Sequence, residues 1–129
     1  MDEIKNTVLL VEDDDDVRDM TEMILKDMNF KVHSVNGSLK AKEWMESNTP
    51  ALIMLDIMMP DGNGLDLCRF IRSQERFQNL PILIASALED DETAQDAMEM
   101  GTTDFIRKPF SMEALQEKIK RICSRGHSL

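Results

Sequence analysis

The stretch ALIMLDIMMPDGNGLDLCRFIR, residues 51–72, contains the strand, loop and helix from which the fold can be predicted. Ala51–Leu55 is an unbroken apolar run, which is typical of a strand covered on both faces. Asp56 follows it directly, and residues 58–64, MMPDGNG, are rich in Gly and Pro that interrupt regular structure. Apolar residues then recur at helical spacing up to residue 72. The segment therefore predicts a buried strand with a carboxylate at its end, then a turn and a helix.

Four more short apolar runs occur at similar intervals along the chain. They are Thr7–Val11, Lys31–Val35, Pro81–Ala85 and Thr103–Arg107. Segments of helical periodicity separate the runs, and Gly or Pro stands at the joints. Five strands that alternate with helices predict right-handed βαβ units. We therefore expect an α/β fold of the flavodoxin-like kind, with a five-stranded parallel sheet in the order 2-1-3-4-5 and helices on both faces.

Several positions in the predicted helices carry specific expectations. Ala94, Ala97 and Met98 mark a fourth helix, and Ser111 is expected to be the N-cap of the last one. Methionine fills irregular gaps in protein cores. We therefore expect the three methionines that fall on apolar helical stripes to be buried; they are Met20, Met98 and Met112.

Length, charge and cysteine usage bound the class of protein. The 129 residues predict a single domain over residues 1–129, with no output domain visible among them. The net charge of −10 disfavours binding to nucleic acid or to an anionic membrane surface. No apolar run approaches the ~18 residues of a membrane span, and the acidic N-terminus is unlike a signal peptide. Cys68 and Cys123 are far apart in sequence, so we expect free thiols in a soluble cytoplasmic protein.

Polar side chains stand at the predicted carboxyl ends of four strands. Glu12 and Asp13 follow the first strand, Asp56 the third, Ser86 the fourth and Lys108 the fifth. Ligand sites of this architecture lie outside the carboxyl ends of the strands, so these side chains are expected to converge. Three neighbouring carboxylates repel one another, and a hard cation such as Mg²⁺ relieves the repulsion. We then expect Asp56 to act as a nucleophile towards a phosphoryl group, Glu12 and Asp13 to hold the metal, and Lys108 and Ser86 to contact phosphoryl oxygens.

The motifs VLLVEDD, LIMLDIMMPDGNGLDLCRFIR, ILIASA and DFIRKPF resemble the receiver domain of two-component response regulators, the CheY-like family. The resemblance covers essentially the whole chain, and the spacings from Asp56 to Ser86 and to Lys108 also match. It implies phosphorelay signal transduction, in which Asp56 accepts a phosphoryl group from a sensor histidine kinase or a histidine phosphotransfer protein. Both a stand-alone receiver and one cut from a longer regulator fit these residues.

The resemblance also implies a metal site. Residues matching Glu12, Asp13 and Asp56 bind Mg²⁺ in the family, together with the backbone carbonyl of the residue matching Met58. Mn²⁺ is a possible substitute for Mg²⁺. The side chains two residues beyond Asp56 and Ser86 lie, by family geometry, where a hydrolytic water would approach. Here they are the apolar Met58 and Leu88, so we expect the phosphoryl group to hydrolyse slowly.

A surface switch is implied in the same way. Residues matching Ser86 and Phe105 couple phosphorylation in the family to a shift of the face formed by the fourth helix, the fifth strand and the fifth helix. We expect a downstream output domain or protein to be engaged through this face. The family's Lys–Pro turn further predicts a cis bond between Lys108 and Pro109.

Other functions on the same architecture are disfavoured by particular residues. A flavodoxin-type electron carrier would need a phosphate loop after the first strand, where the acidic run Glu12–Asp16 would repel the flavin phosphate. A phosphohydrolase with an aspartyl nucleophile usually has a second acid two residues on, where this chain has Met58. A degenerate receiver that serves only as a docking scaffold would have lost a site residue. We therefore expect an active phosphoacceptor and not an enzyme that turns over small molecules. Asp14, Asp15 and Asp16 are expected only to cap and stabilise the helix that follows.

Overall fold

In a computed structural model the chain forms a five-stranded parallel sheet with helices on both faces. The structure describes residues 6–87, 95, 98, 99 and 101–127. The strands of the sheet are β1 (Thr7–Val11), β2 (Lys31–Val35), β3 (Leu52–Leu55), β6 (Ile82–Ser86) and β7 (Asp104–Arg107). Their order is β2-β1-β3-β6-β7, which confirms the predicted 2-1-3-4-5 arrangement.

The other elements that the described residues form include four helices, a 3₁₀ turn and a small hairpin. The helices are α1 (Asp15–Asp27), α2 (Ser38–Met45), α3 (Gly64–Arg72) and α4 (Met112–His127), and the 3₁₀ turn is Glu75–Phe77. The antiparallel hairpin follows β3 and consists of β4 (Met58–Met59) and β5 (Gly62–Asn63). Within the described part of the chain, no helix is long and apolar enough to cross a membrane.

The core consists of two layers because strand side chains alternate between the faces of the sheet. One layer packs against α2 and α3, and the other packs against α1 and α4. The first layer is built on Leu9, Val11, Ile53, Leu55, Ile82 and Ile84. The second is built on Val8, Leu10, Leu52, Met54, Leu83 and Ala85. The strands β3 and β6 are buried throughout, whereas the edge strands β2 and β7 are partly exposed, as their mixed sequences predict.

Side-chain caps fix where three of the helices begin. Asp14 accepts hydrogen bonds from the backbone N–H groups of Asp16 at 3.0 Å and Val17 at 3.1 Å. Asn63 accepts from the N–H of Leu65 at 2.8 Å. Ser111 accepts from the N–H of Ala114 at 3.0 Å, which confirms its predicted role as an N-cap. Each cap satisfies a donor that the first turn of the helix leaves unpaired.

The prediction that three methionines lie in the core was wrong. Met20, Met98 and Met112 are 38%, 49% and 50% exposed. On α1 the buried face is supplied by Ile24 and Leu25, so Met20 lies at its margin. Met112 is the first residue of α4 and precedes the first buried residue of that helix by almost one turn. An apolar stripe thus predicts which side of a helix faces the sheet but not how far the sheet extends beneath it.

Element boundaries differ slightly from the predicted ones. The third, fourth and fifth strands of the sheet each begin one residue later than predicted, and Ser86 is the last residue of β6 instead of following it. Pro81 lacks the N–H that a ladder needs, which accounts for the later start of β6. The hairpin of β4 and β5 was not predicted because two-residue strands are too short to show an alternating pattern. The predicted fourth helix falls largely on residues 88–94, 96, 97 and 100, which lie outside the described residues.

Both cysteines are free, as predicted, but they differ in burial. Cys68 lies fully buried on α3, and Cys123 is half-buried on α4. Burial raises the pKa of the Cys68 thiol to about 12, because the charged thiolate is disfavoured away from water. Burial also raises the pKa of Cys123, which keeps part of its surface accessible.

We predict that an aromatic disulfide reagent at about pH 8 labels Cys123 in the folded protein, while Cys68 reacts only after unfolding. Labelling is followed by absorbance with and without denaturant. The variant Cys123→Ser should lose the labelling seen under native conditions and keep one thiol that reacts in denaturant. Rapid native labelling of this variant would show that Cys68 is accessible.

Candidate functional site

Glu12 lies at the carboxyl end of β1, and only 4% of it is exposed. Its backbone N–H donates to the carbonyl of Val35 at 3.0 Å, which holds it beside the end of β2. Its two carboxylate oxygens accept from Lys108 Nζ at 2.5 Å and from the N–H of Asp14 at 3.2 Å. A buried carboxylate is costly unless it is paired, so Lys108 is what makes this burial possible.

Asp56 follows β3 and lies beside Glu12 at the same edge of the sheet. Its backbone N–H donates to the Val11 carbonyl at 3.4 Å. Its Oδ1 accepts from the N–H of Met58 at 3.2 Å, and its Oδ2 accepts from Lys108 Nζ at 2.7 Å. These two hydrogen bonds fix the direction of the carboxylate, and 13% of the Asp56 side chain remains exposed.

Lys108 joins the two carboxylates. Its side chain is 14% exposed, and its ammonium contacts Glu12 and Asp56 at once. Its backbone N–H donates to the carbonyl of Ser86 at 2.9 Å, and the bond to Pro109 is cis, as predicted. Burial lowers the pKa of Lys108, but the hydrogen bonds and charges of Asp56 and Glu12 together raise it by more, so its pKa lies above the ordinary 10.5. Lys108 is therefore fully protonated at neutral pH.

The loop after Asp56 closes back against it at Gly64. A Cβ atom on Gly64 would lie 2.1 Å from the backbone oxygen of Asp56, so no other residue fits without moving the loop. The N–H of Gly64 donates to the carbonyl of Ile57 at 2.6 Å. These contacts fix the path of the hairpin that begins with Met58.

Ser86 and Phe105 lie on neighbouring strands. Ser86 ends β6 and is 1% exposed, and Phe105 is half-buried on β7. The register pairs Phe105 with Ile84, two residues before Ser86. Because side chains two residues apart share a face, Ser86 and Phe105 lie on the same face of the sheet. The structure thus places these two predicted switch residues on the same face of neighbouring strands.

Asp13 comes directly after Glu12, at the carboxyl end of β1. Its exposed side chain faces an open cleft of about 320 Å³ that also includes Arg18 and Lys40. Among the described residues, no group of three or more His, Cys, Asp or Glu side chains is arranged to hold a metal ion. Direct contacts thus join Glu12, Asp56 and Lys108, and Asp13 lines the neighbouring cleft.

The donor set nevertheless suits a hard divalent cation. Carboxylates and a backbone carbonyl supply only oxygen, and Mg²⁺ binds through few protein oxygens while keeping several waters. Glu12 and Asp56 already share one positive partner, the ammonium of Lys108. The oxygens of these two carboxylates therefore lie close enough together to contact one cation. The donor atoms suit Mg²⁺, and the positions of Glu12 and Asp56 suit it as well.

Two contacts around the site were not predicted from the sequence. Arg18 donates to the backbone carbonyl of Glu12 at 3.1 Å and pairs with Asp15, which ties α1 to the end of β1. Asp61, in the turn between β4 and β5, accepts from backbone N–H groups at the start of α2. The Arg18–Asp15 pair has the spacing of neighbours on one helix face and could have been recognised from it. The Asp61 contact leaves no local signal, since it joins segments far apart in the chain.

Comparison with solved structures finds the same architecture. A putative response regulator from Chloroflexus aurantiacus is 29% identical with a TM-score of 0.88, and the match covers 92% of this chain and 98% of that one. The chemotaxis response regulator CheY4 of Vibrio cholerae is 26% identical with a TM-score of 0.85, over 90% of this chain and 97% of that one.

Similar sequences are regulatory proteins of greater length. The transcriptional regulatory protein GltR of Pseudomonas aeruginosa is 34% identical over 120 residues, which are 93% of this chain and 50% of that protein. The chain thus spans about half the length of this relative. The family model described as the response regulator receiver domain matches residues 8–120. The chain therefore belongs to the response regulator receiver domains of two-component systems, a family whose general role is to be phosphorylated by histidine kinases.

Proposed function

We propose that Asp56 is the residue of this receiver that takes the phosphoryl group, from a sensor histidine kinase or a histidine phosphotransfer protein, in the presence of Mg²⁺ or Mn²⁺. The observation that carries the proposal is the position of Lys108, whose one ammonium contacts both Asp56 and Glu12. A fixed cation beside a carboxylate that keeps part of its surface exposed is what transfer of an anionic group requires. The free thiols of the chain suit a reducing cytoplasm, where we place the protein.

The transfer step follows from the contacts of the Asp56 carboxylate. One of its oxygens forms a bond to phosphorus while the bond from phosphorus to the imidazole nitrogen of the donor breaks, and that nitrogen keeps the electron pair. The N–H of Met58 and the ammonium of Lys108 hold the carboxylate in direction before the attack. Fixed orientation of this kind lowers the entropic part of the barrier.

The metal would be held by Glu12, Asp13, Asp56 and the backbone carbonyl of Met58. Its contribution is positive charge that neutralises the oxygens of the phosphoryl group. Lys108 contributes a second positive charge, since it can exchange a carboxylate partner for a phosphoryl oxygen without leaving the site. The buried Glu12 keeps its contact with the ammonium and so prevents Lys108 from turning away.

Phosphorylation would change the surface of the domain through Ser86 and Phe105. The Ser86 hydroxyl is suited to donate to a phosphoryl oxygen, and a movement of Ser86 would change the space open to the half-buried Phe105 on the same face. Phosphorylation would thus shift the population between two arrangements of this face. An output domain or a separate downstream protein would bind to the surface formed by β7, α4 and the segment that precedes β7. The cycle ends with hydrolysis of the aspartyl phosphate, so the domain acts as a switch and not as an enzyme on small molecules.

We predict that Asp56→Asn abolishes phosphorylation because an amide is not a nucleophile towards phosphorus. The protein is incubated with acetyl phosphate and Mg²⁺, and the intact mass is measured. The control Asp66→Asn removes an exposed carboxylate of α3 that makes only a surface ion pair, and it should be labelled like the unchanged protein. Full labelling of Asp56→Asn would refute the assignment.

We predict that Lys108→Met lowers the free energy of unfolding by about 3 kcal/mol, since it leaves Glu12 buried and unpaired. Adding Glu12→Gln should restore part of the loss, because the uncompensated charge is then gone. Denaturant unfolding measures both variants. Arg121→Met, which breaks an exposed pair with Glu117, is the control and should cost less than about 0.5 kcal/mol. A loss of the same size in both single variants would contradict the role of the buried pair.

We predict a long-lived aspartyl phosphate because Met58 offers no polar group to orient a water. Met58 is 67% exposed beside Asp56, and Leu88 lies outside the described residues. Met58→Asn, alone or with Leu88→Glu, should speed the decay of phosphorylated protein about tenfold. Met23→Asn, an equally exposed position on α1, is the control and should leave the decay unchanged. A decay that is equally fast in all four proteins would count against a water-orienting effect.

A further inference from the structure

Asp61 caps a helix to which it does not belong. Its two carboxylate oxygens accept from the N–H of Ser38 at 2.9 Å and the N–H of Leu39 at 3.0 Å, the first residues of α2. The natural cap position of α2 is Gly37, which has no side chain to do this. The bonds to the N–H groups of Leu39 and Ser38 lower the pKa of Asp61, so the carboxylate is ionised at neutral pH. The start of α2 therefore depends on a residue more than 20 positions later in the chain.

The fit between the turn and α2 is close. A Cβ atom on Gly37 would lie 2.7–2.9 Å from the carboxylate atoms of Asp61. The backbone of Gly37 is extended, with φ at −172°, so any residue could adopt its conformation. A side chain there would instead have to displace the Asp61 carboxylate. The contact thus requires both the carboxylate on one segment and the missing side chain on the other.

The same turn is anchored at its other end to Asp56. The N–H of Met58 donates to Asp56 Oδ1, and Gly64 packs directly against the backbone of Asp56. Between these points the hairpin pairs Met58 with Asn63 and Met59 with Gly62, which leaves Asp61 at the tip. The loop is therefore tied to the phosphoacceptor at its base and to α2 at its tip.

We propose that Asp61 is a positioning residue that fixes the loop carrying Met58 by tying it to α2, and that α2 is stabilised in return when Mg²⁺ binds. The proposal rests on the proposed function, because it concerns the backbone carbonyl of Met58 as a metal ligand. Groups that orient a metal ligand without touching the metal change its affinity, commonly tenfold or more. Coupling between two parts of a protein is reciprocal, so the metal must protect α2 as much as α2 supports the metal site.

Two variants break the contact from opposite sides. Asp61→Ala removes the carboxylate, and Gly37→Ala displaces it by filling its space. Asp61→Asn keeps one acceptor oxygen but turns an amide N–H towards the second donor, so it should give an intermediate effect. The matched control is Asn48→Ala, because Asn48 Nδ2 donates to the Trp44 carbonyl at 2.9 Å at the other end of α2. It weakens the same helix without touching the loop.

The experiment measures Mg²⁺ affinity by calorimetry and hydrogen exchange of the α2 amides with and without Mg²⁺. We expect Asp61→Ala and Gly37→Ala to weaken Mg²⁺ binding about tenfold and to lose the protection of α2 that Mg²⁺ induces in the unchanged protein. Asn48→Ala should speed exchange in α2 without changing Mg²⁺ affinity, and its α2 should still gain protection from Mg²⁺.

Unchanged Mg²⁺ affinity in Asp61→Ala, or an equal loss in Asn48→Ala, would overturn the positioning role. In the same series, the unchanged protein is labelled with acetyl phosphate and its mass is measured. If it is labelled in a Mg²⁺-dependent way while Asp61→Ala binds Mg²⁺ normally, only this inference fails. If the unchanged protein neither binds Mg²⁺ nor is labelled, the proposed function and this inference fail together.

Discussion

One buried ammonium connects the parts of the structure on which the site depends. Lys108 contacts Glu12 and Asp56, which stand 96 and 52 residues before it in the chain. Each of the three residues ends or follows a different strand of the sheet, so the contact exists only when β1, β3 and β7 are in register. The charges compensate one another, which allows them to stand at the edge of an otherwise apolar core.

The sheet makes this contact possible by being covered on both faces. Strands such as β3 and β6 are entirely buried, so polar groups are excluded from their length and can appear only at their ends. In a parallel sheet those ends meet at one edge. The apolar sequences of the central strands and the charged residues at the strand ends therefore both result from covering a parallel sheet on its two faces. The same logic explains why the backbone of Lys108 is held by the carbonyl of Ser86, the last residue of its neighbouring strand.

The parts that could be predicted from sequence are those with a local or periodic signal. The order of the strands, the ends on which Glu12, Asp56 and Lys108 stand, and the cap at Ser111 all follow from such signals. The parts that could not be predicted arise from contacts between distant segments or from the outer limits of packing. The cap that Asp61 gives to α2 is of the first kind, and the exposure of Met20 on α1 is of the second.

The two tight glycine contacts have a consequence for how the chain can vary in length. Surface loops usually accept inserted or deleted residues with little penalty. The segment between Asp56 and Gly64 touches the backbone of Asp56 at one point and the space beside Gly37 at another. One residue more or fewer would move both points out of register, a side chain at Gly64 would collide with the backbone of Asp56, and one at Gly37 would displace the Asp61 carboxylate. Natural variation in this loop should therefore consist of substitutions at constant length, with insertions confined to loops that lie away from the edge of the sheet where Asp56 stands.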